Sequence, residues 1–596
     1  MDFLSAASRE STYIASLART FWRLRGVEPD SHITIVDIVE RWASKTAEAP
    51  AILFGDDVLT YRTLVAAADR YAHWAHAQGI GRGASIALLM ENRPEYVVAW
   101  LGLLKVGAVA ALINTNLRGA ALAYSISTTE ARHLILGHEL AAAYLGARPL
   151  VKDPPVAWIT GGADPHCEDL DAALGAAPAA PADPAWRAGL TCADRAFYIF
   201  TSGTTGMPKA AVVSHLRTLF MMQGFAGALG ARSSDRMYDA LPLYHSAGGI
   251  CALGVALTAG GSVVLRRKFS IHDFWDDCAR YRPTFFQYIG EICRYLLNAP
   301  PSPHERDHRL RAIVGNGLRP EIWEAFQSRF AIPKIVEFYG ATEGNVALLN
   351  YDGKIGAVGR IPCYMRRLFT TRIVRFDIER ECPVRDANGF CIECGDDETG
   401  EAVGKIAKEQ GKNFEGYTRE LDTEKKILRH VFAPDDAWFR TGDLMKRDRH
   451  GYFYFVDRVG DTFRWKGENV ATSEVAEALS VVDGISEANV YGVAVPGSEG
   501  RAGMAALVVT SAFDPSRLVE HLGANLPSYS RPIFLRLTPQ MELTGTFKQR
   551  KVDLVKEGFD PRSVPDPLYV LDPQSLKYEP LDARKYDAIV RGGLKI

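Results

Sequence analysis

Between residues 36 and 190 the chain alternates helical periodicity with short apolar runs, 85-SIALLM-90, 107-GAVAALI-113 and 133-HLILG-137. Such alternation predicts parallel strands joined by helices. The Ala/Pro-rich stretch 172-AALGAAPAAPADPAW-186 breaks the pattern and reads as a surface linker. The alternation then resumes, with 262-SVVLRR-267, 284-TFFQYIG-290 and 312-AIVGNG-317 each reading as a strand followed by a loop. From about Arg360 the runs shorten into strands and turns. After 456-VDRVGDTFRWKGENV-470 a small α/β segment follows through 489-NVYGVAV-495 and 504-MAALVV-509. No internal repeat of roughly 20–50 residues interrupts this order.

Two stretches raise the question of membranes. The run 96-YVVAWLGLLKVGAVAALI-113 is interrupted by Lys105, and Gly107 follows its helix-like part. A buried helix running into a strand accounts for it better than a membrane span. The segment 12-TYIASLARTFWRLRG-26 mixes Ile, Leu, Phe and Trp with three arginines. An interfacial amphipathic helix and a helix packed on the domain surface both fit it.

Composition narrows the class. At roughly 100–200 residues per domain, 596 residues predict three or more folding units merged into fewer large domains. A content of 47% hydrophobic and 23% charged residues is that of an ordinary globular protein. The net charge of −2 gives no bulk electrostatic case for nucleic acid. Nine scattered cysteines are no disulfide framework and point to a reducing, cytoplasmic setting. The lone Cys391-x-x-Cys394 pair reads as buried strand cysteines. No apolar core follows the first charges, so no signal peptide is expected.

The chemistry starts at 198-YIFTSGTTGMPKA-210. Tyr198 to Phe200 read as the end of a strand, and Thr201 to Gly206 as a loop of small residues. Glycines admit an anion close to the backbone, and hydroxyls and N–H groups donate to its oxygens. The spacing is G-x-x-G-x-x-K, and Pro208 separates Gly206 from Lys209. That excludes the usual P-loop, which runs directly from its glycine and lysine into a helix.

With five more motifs in order, the chain resembles the adenylate-forming superfamily of acyl- and aryl-CoA synthetases, luciferases and peptide-synthetase adenylation domains. The motifs are 241-LPLYHSAGG-249, 338-FYGATEGN-345, 438-WFRTGDL-444, 457-DRVGDTFRWKGENV-470 and 544-TGTFKQRK-551. Four details resemble one branch more closely, the very-long-chain acyl-CoA synthetases and fatty acid transport proteins: 315-GNGLRPEIWEAF-326, 389-GFCIEC-394, 463-FRWKGENV-470 and 566-DPLYVLD-572.

The resemblance implies an α/β architecture in two domains. Residues 1–459 would form a large domain of α/β subdomains plus a β-rich subdomain, binding ATP and the acyl group. Residues 460–596 would form a small mobile α/β domain, hinged at Gly460-Asp461. It implies that Thr201, Ser202, Gly203, Thr204, Thr205, Gly206 and Lys209 hold the departing phosphates. Glu343 would bind Mg²⁺, and Thr342 would touch the α-phosphate. Tyr339 and Gly340, with Asn316, Gly317 and Leu318, would take adenine. Asp443 and Arg458 would take the ribose, and Tyr454 would line the nucleotide site. Gly467 falls where pantetheine approaches.

The implied catalytic lysine is Lys548 rather than Lys551, although the commoner form T-G-K-x-x-R is here stretched to Thr544-Gly545-Thr546-Phe547-Lys548. His245 stands at the acyl-pocket wall in the resembled family; a core histidine is the other reading. Phe285, Phe286 and Tyr288 divide between lining an apolar tunnel and filling the core. No acidic partner for a substrate amine lies in 241–249, which favours a plain carboxylic acid.

The expected activity is ATP-dependent ligation of a long- or very-long-chain fatty acid to CoA through acyl-AMP, with ATP, Mg²⁺ and CoA required. Two alternatives stay open. One is a fatty acyl-AMP ligase loading a carrier protein, and the other a membrane-associated uptake protein with coupled activation. The expected location is cytoplasmic, with peripheral contact at the inner membrane face and a homodimer both left open.

Overall fold

The structure is a computed structural model and describes residues 3–202, 207–378, 380–406, 414–466, 468–496, 498, 500–542, 549–592 and 594. The chain divides into two compact units. The first comprises Met1–Leu318, Glu324–Ile355 and Ile406–Ile427; the second comprises Arg319–Trp323, Gly356–Lys405 and Leu428–Ile596.

The first unit holds two mainly parallel sheets, as the alternation predicts. One runs in the order Glu168–Asp169, Val156–Thr160, His133–Gly137, Ser85–Leu89, Val109–Leu112, Arg195–Ser202, Pro208–Ser214. The other runs Ala347–Asn350, Ile335–Gly340, Ala312–Asn316, Phe285–Ile289, Arg236–Asp239, Ser262–Leu265, Pro50–Phe54, Asp57–Thr60. Val109–Leu112 and Ser262–Leu265 are buried at every position. This is why their sequences are apolar but for Ser262: helices cover both faces of a parallel sheet.

The run 96–113 is a buried helix, Pro94–Lys105, followed by the strand Val109–Leu112. Lys105 does not reach water. Its ammonium binds Glu40 at 2.5 Å and Asp69 at 2.6 Å. Asp69 also accepts from the backbone of Ala182, 3.0 Å away, and Trp186 stacks on His76. The Ala/Pro-rich stretch expected as a surface linker is therefore pinned to the domain at both places.

The N-terminal helix Phe3–Leu24 lays Tyr13, Ser16, Leu17 and Thr20 into the domain, against the helix His215–Leu229. Its other face leaves Ile14, Phe21 and Trp22 exposed. No helix among the described residues is long and apolar enough to cross a membrane.

In the second unit, Gly359–Arg360, Tyr452–Arg458, Ala437–Arg447, Gly400–Ile406, Thr371–Asp377 and Cys382–Pro383 form an antiparallel sheet in that order. Cys391 packs in its small core with Val374, Val403, Val431 and Trp438. A separate five-stranded sheet begins with Ile485–Ala494 and Arg501–Val509, and its core gathers residues from Phe463 to Ile589.

Candidate functional site

Four of the motifs singled out by sequence lie on antiparallel strand pairs. The phosphate-loop strand Arg195–Ser202 pairs back on Pro208–Ser214, with Thr201 opposite Lys209 and Ser202 opposite Pro208. A strand, not a helix, follows the loop, which is why Pro208 is tolerated and the Walker spacing is absent. Gly203, Thr204, Thr205 and Gly206 lie outside the described residues.

A strap from the same unit crosses this hairpin. Val212 donates its N–H to the Gly416 carbonyl and Thr418 donates to the Ala210 carbonyl, each at 3.0 Å. Glu415 accepts from the Ser214 backbone at 2.6 Å and from its hydroxyl. The strap thus sets Tyr417 over the start of the loop. Its phenol donates to Glu343 Oε1 at 2.7 Å, with the Thr201 side chain beside it. Burial first, then the Glu343 charge, pushes the phenol's pKa far above its ordinary value, so it stays a donor. The Lys209 ammonium lies 5.6 Å from the centre of the Tyr417 ring and 3.0 Å from Asp422 Oδ1.

Thr342 and Glu343 stand in the turn between the strand Ile335–Gly340 and the edge strand Ala347–Asn350. Glu343 is only 8% exposed. The turn is held from beneath by Arg217, a buried guanidinium that donates to the carbonyls of Ala341 and Gly344. Burial lowers the Arg217 pKa, and the carboxylates Glu415 and Glu343 oppose that. Thr342 Oγ1 and Ser246 Oγ are 3.2 Å apart, which joins this turn to 241-LPLYHSAGG-249. A shielded carboxylate flanked by hydroxyls is a hard oxygen donor set and fits Mg²⁺. His245 precedes a wide helical turn, Ser246–Ala252, and its Nδ1 lies 3.5 Å from the Ala247 nitrogen.

The loop expected to take adenine is built on one carboxyl. Gly317, at φ +82°, turns the chain out of the strand Ala312–Asn316 in a conformation that glycine alone adopts cheaply. The N–H groups of Gly317 and Leu318 both donate to Glu337 Oε1, the latter at 3.2 Å, and the Tyr288 hydroxyl donates to Oε2. Burial raises the Glu337 pKa to about 8, against these three hydrogen bonds. Leu318 is buried, Asn316 and Tyr339 are half-buried, and Gly340 is exposed at the strand end.

Phe285, Phe286 and Tyr288 are buried in the neighbouring strand. Phe286 packs on Phe274 and Tyr238 at ring distances of 4.8 and 5.9 Å, and the Arg311 guanidinium lies 4.2 Å from the centre of the Phe285 ring. With Tyr288 committed to Glu337, all three make interior contacts.

In the second unit, Asp443 and Arg458 stand opposite each other on the hairpin Ala437–Arg447/Tyr452–Arg458. Arg458 Nε is 3.8 Å from Asp443 Oδ1, with side chains 50% and 18% exposed. Beneath them the buried Glu401 accepts three contacts from Arg440, two of them shared by Nε, and one from the Gly442 backbone. Tyr454 is not part of this pair, since its hydroxyl donates to Asp448 at 3.1 Å in the turn of the hairpin.

Gly460 and Asp461 lie in a turn closed by Asp461 N–H on the Arg458 carbonyl at 3.0 Å. Asp461 also binds Lys551 Nζ at 3.3 Å, and the same ammonium donates to Thr472 Oγ1 at 2.6 Å. Gly467 and Lys548 lie outside the described residues.

Sequence reasoning missed Tyr417, Asp422, Glu415, Arg217 and Glu337. None of them sits in a loop with phosphate character. Each acts across the chain; Tyr417 and Glu343, for instance, are 74 positions apart. Glu337, two residues before Tyr339, had one legible signal: a carboxylate in the otherwise apolar strand 335-IVEFYG-340.

Comparison with known proteins agrees with this geometry. Residues 39–401 match the AMP-binding enzyme family and residues 474–548 match the AMP-binding enzyme C-terminal domain. The chain is 42% identical to the long-chain fatty acid transport protein 2 of Rattus norvegicus over 98% of this chain and 94% of that one. It is 46% identical to the long-chain fatty acid transport protein 1 of Mus musculus over 87% and 81%. Among solved structures it superposes on the anthranilate CoA ligase AuaEII in complex with anthranoyl-AMP at a TM-score of 0.75, with 20% identity, covering 88% of this chain and 96% of that one. A fatty acyl CoA synthetase of Mycobacterium tuberculosis gives 0.61 at 25% identity, over 88% and 98%. The chain belongs to the AMP-binding enzyme family, in its long-chain fatty acid transport protein branch.

Proposed function

We propose that this chain is an ATP-dependent long- or very-long-chain fatty acid–CoA ligase. A carboxylate is a poor acyl donor because oxide is a poor leaving group. In the first step a carboxylate oxygen bonds to the α-phosphorus of ATP and the bond to pyrophosphate breaks, giving acyl-AMP. In the second, the CoA sulfur bonds to the acyl carbon, AMP leaves with the bonding pair, and the thiol proton goes to solvent. Carboxylate and α-phosphate repel, so the first step needs fixed positive charge and hydrogen-bond donors.

The observation that carries the reading is the junction at Tyr417, where Thr201 of the phosphate loop meets the shielded Glu343. Thr201, Ser202, the 203–206 loop and Lys209 are assigned to the β- and γ-phosphates. Thr342 is assigned to the α-phosphate, and Tyr339 with Asn316 to Leu318 to adenine. Mg²⁺ held by Glu343 supplies neutralising charge to the phosphate oxygens. Asp443 suits a vicinal diol because it offers two acceptor oxygens.

Lys548 is assigned the bridge between carboxylate and α-phosphate. The engagement of Lys551 by Asp461 and Thr472 supports that choice over Lys551. Residues 460–596, turning at Gly460-Asp461, are assigned as the domain that serves first one half-reaction and then the other, with Gly467 near pantetheine. The separate core beginning at Phe463 supports this division.

The test is Lys548→Ala. It should abolish acyl-AMP formation from a C12–C24 acid and ATP, and spare thioester formation from supplied acyl-AMP. Equal loss of both half-reactions removes the assignment. Absence of AMP and acyl-CoA for every acid with the unaltered protein removes the ligase reading. The relatives' names favour a second role, uptake coupled to activation, and the exposed Ile14, Phe21 and Trp22 support a peripheral lipid contact for it. Fatty acid import retained by the inactive lysine variant would separate the two roles.

A further inference from the structure

We propose that Asp422 is a built-in competitor of the nucleotide's phosphates for Lys209, so that triphosphate binding and pyrophosphate release are exchanges at that ammonium. The proposal rests on reading 201–209 as the phosphate loop and adds a residue that no motif contains.

The geometry points to it in three ways. First, the pair is direct and shielded: Lys209 Nζ and Asp422 Oδ1 are 3.0 Å apart, with side chains 13% and 12% exposed. A pair so screened from water is not a loose surface contact, and its field is little reduced by salt. Second, the ammonium is set in place by the Tyr417 ring at 5.6 Å, a cation–π contact, and that same phenol holds Glu343. Phosphate arriving at Lys209 therefore arrives beside the assigned metal carboxylate.

Third, the Asp422 carboxylate is not what folds the strap. Tyr417 N–H donates to Thr423 Oγ1 at 2.9 Å, and Gly416, at φ +68°, lets the Thr423 side chain pack against its backbone. Backbone bonds to Ala210 and Val212 and the Glu415–Ser214 contact fasten the rest. Among the described residues, Arg419 is a second cation near Asp422, with Nε 3.9 Å from Oδ2.

A carboxylate and a phosphate cannot both crowd one ammonium without repelling each other. Binding of the triphosphate must displace Asp422, and its return favours departure of pyrophosphate.

The experiment is calorimetric titration of pyrophosphate into the full chain and into Asp422→Asn, Asp422→Ser, Lys209→Ala and the Lys209→Ala/Asp422→Asn double variant. Melting curves verify that each is folded. Asp422→Asn is expected to bind pyrophosphate about tenfold more tightly, to be inhibited by it at correspondingly lower concentration, and to show a lower KM for ATP. Asp422→Ser, which removes the carboxylate without adding an amide, should show the same gain. The gain should vanish in the double variant, because it acts through Lys209. Unchanged or weaker binding by both Asp422 variants, with Lys209→Ala still losing affinity, overturns the proposal while leaving the phosphate-loop reading intact. Unchanged binding by Lys209→Ala overturns that reading and the proposal together.

Discussion

The cluster assigned to the phosphates and the pair assigned to the ribose are both built on antiparallel hairpins, yet they are made by different means. Asp443 and Arg458 meet because hairpin register puts them opposite each other, and Arg458 remains half exposed. Glu343, Thr201 and Lys209 meet only because a strap from residues 414–423 lays Tyr417 and Asp422 across them. The first arrangement is local, solvated and easily retuned. The second is shielded and over-determined, with Arg217 and Glu415 packed beneath it. Charge that must be neutralised in a transition state is worth more where water is excluded.

This difference predicts a ranking of effects. Glu343→Gln should lower acyl-AMP formation most, by about 10²–10³-fold, the range for one preorganised electrostatic group. ATP–pyrophosphate exchange measures it, and a loss below tenfold would make the buried carboxylate merely structural. Asp443→Asn should follow, raising KM for ATP by about 10–100-fold, as expected for charge-assisted hydrogen bonds worth about 1.5–3 kcal/mol. An effect equal to that of Glu343→Gln would erase the contrast between the two regions.

Glu337 adds a pH test of the shielded side. Its folded pKa, about 8, lies above the ordinary 4.5. The folded state keeps a proton that the unfolded state releases, so stability from this group is present at low pH and lost as pH rises through that window. Glu337→Gln cannot titrate. Its stability relative to the unaltered chain should improve between pH 5 and 8.5 in denaturant melts; a constant difference would mean that Glu337 is ionised throughout. The smallest effect belongs to Arg458→Lys, about two- to fivefold in KM for ATP, the range for an exposed pair. High salt should shrink that effect further.

How much of this was legible follows the same divide. The parallel strands at 85–90, 107–113 and 262–267 could be read because burial on both faces forces apolar runs. Asp443 and Arg458 could be read because each sits in a short motif of its own, 438-WFRTGDL-444 and 457-DRVGDTFRWKGENV-470. The Lys105 interruption was noticed in sequence, but its partners Glu40 and Asp69 were not. Glu337 was passed over in a strand where burial had every reason to exclude it.

By itself, the sequence determined the alternation that makes the sheets, the glycine- and hydroxyl-rich stretch from Thr201 to Lys209, and the order of motifs that marks the family. Those properties depend on residue type and near spacing, which local sterics and burial translate directly into structure. Only the tertiary structure decided that a hairpin rather than a helix follows the phosphate loop, that Tyr417 joins Thr201 to Glu343, and that Asp422 holds Lys209. These contacts bring together segments far apart in the chain. Chain topology chooses such partners, and no local pattern of residues encodes them.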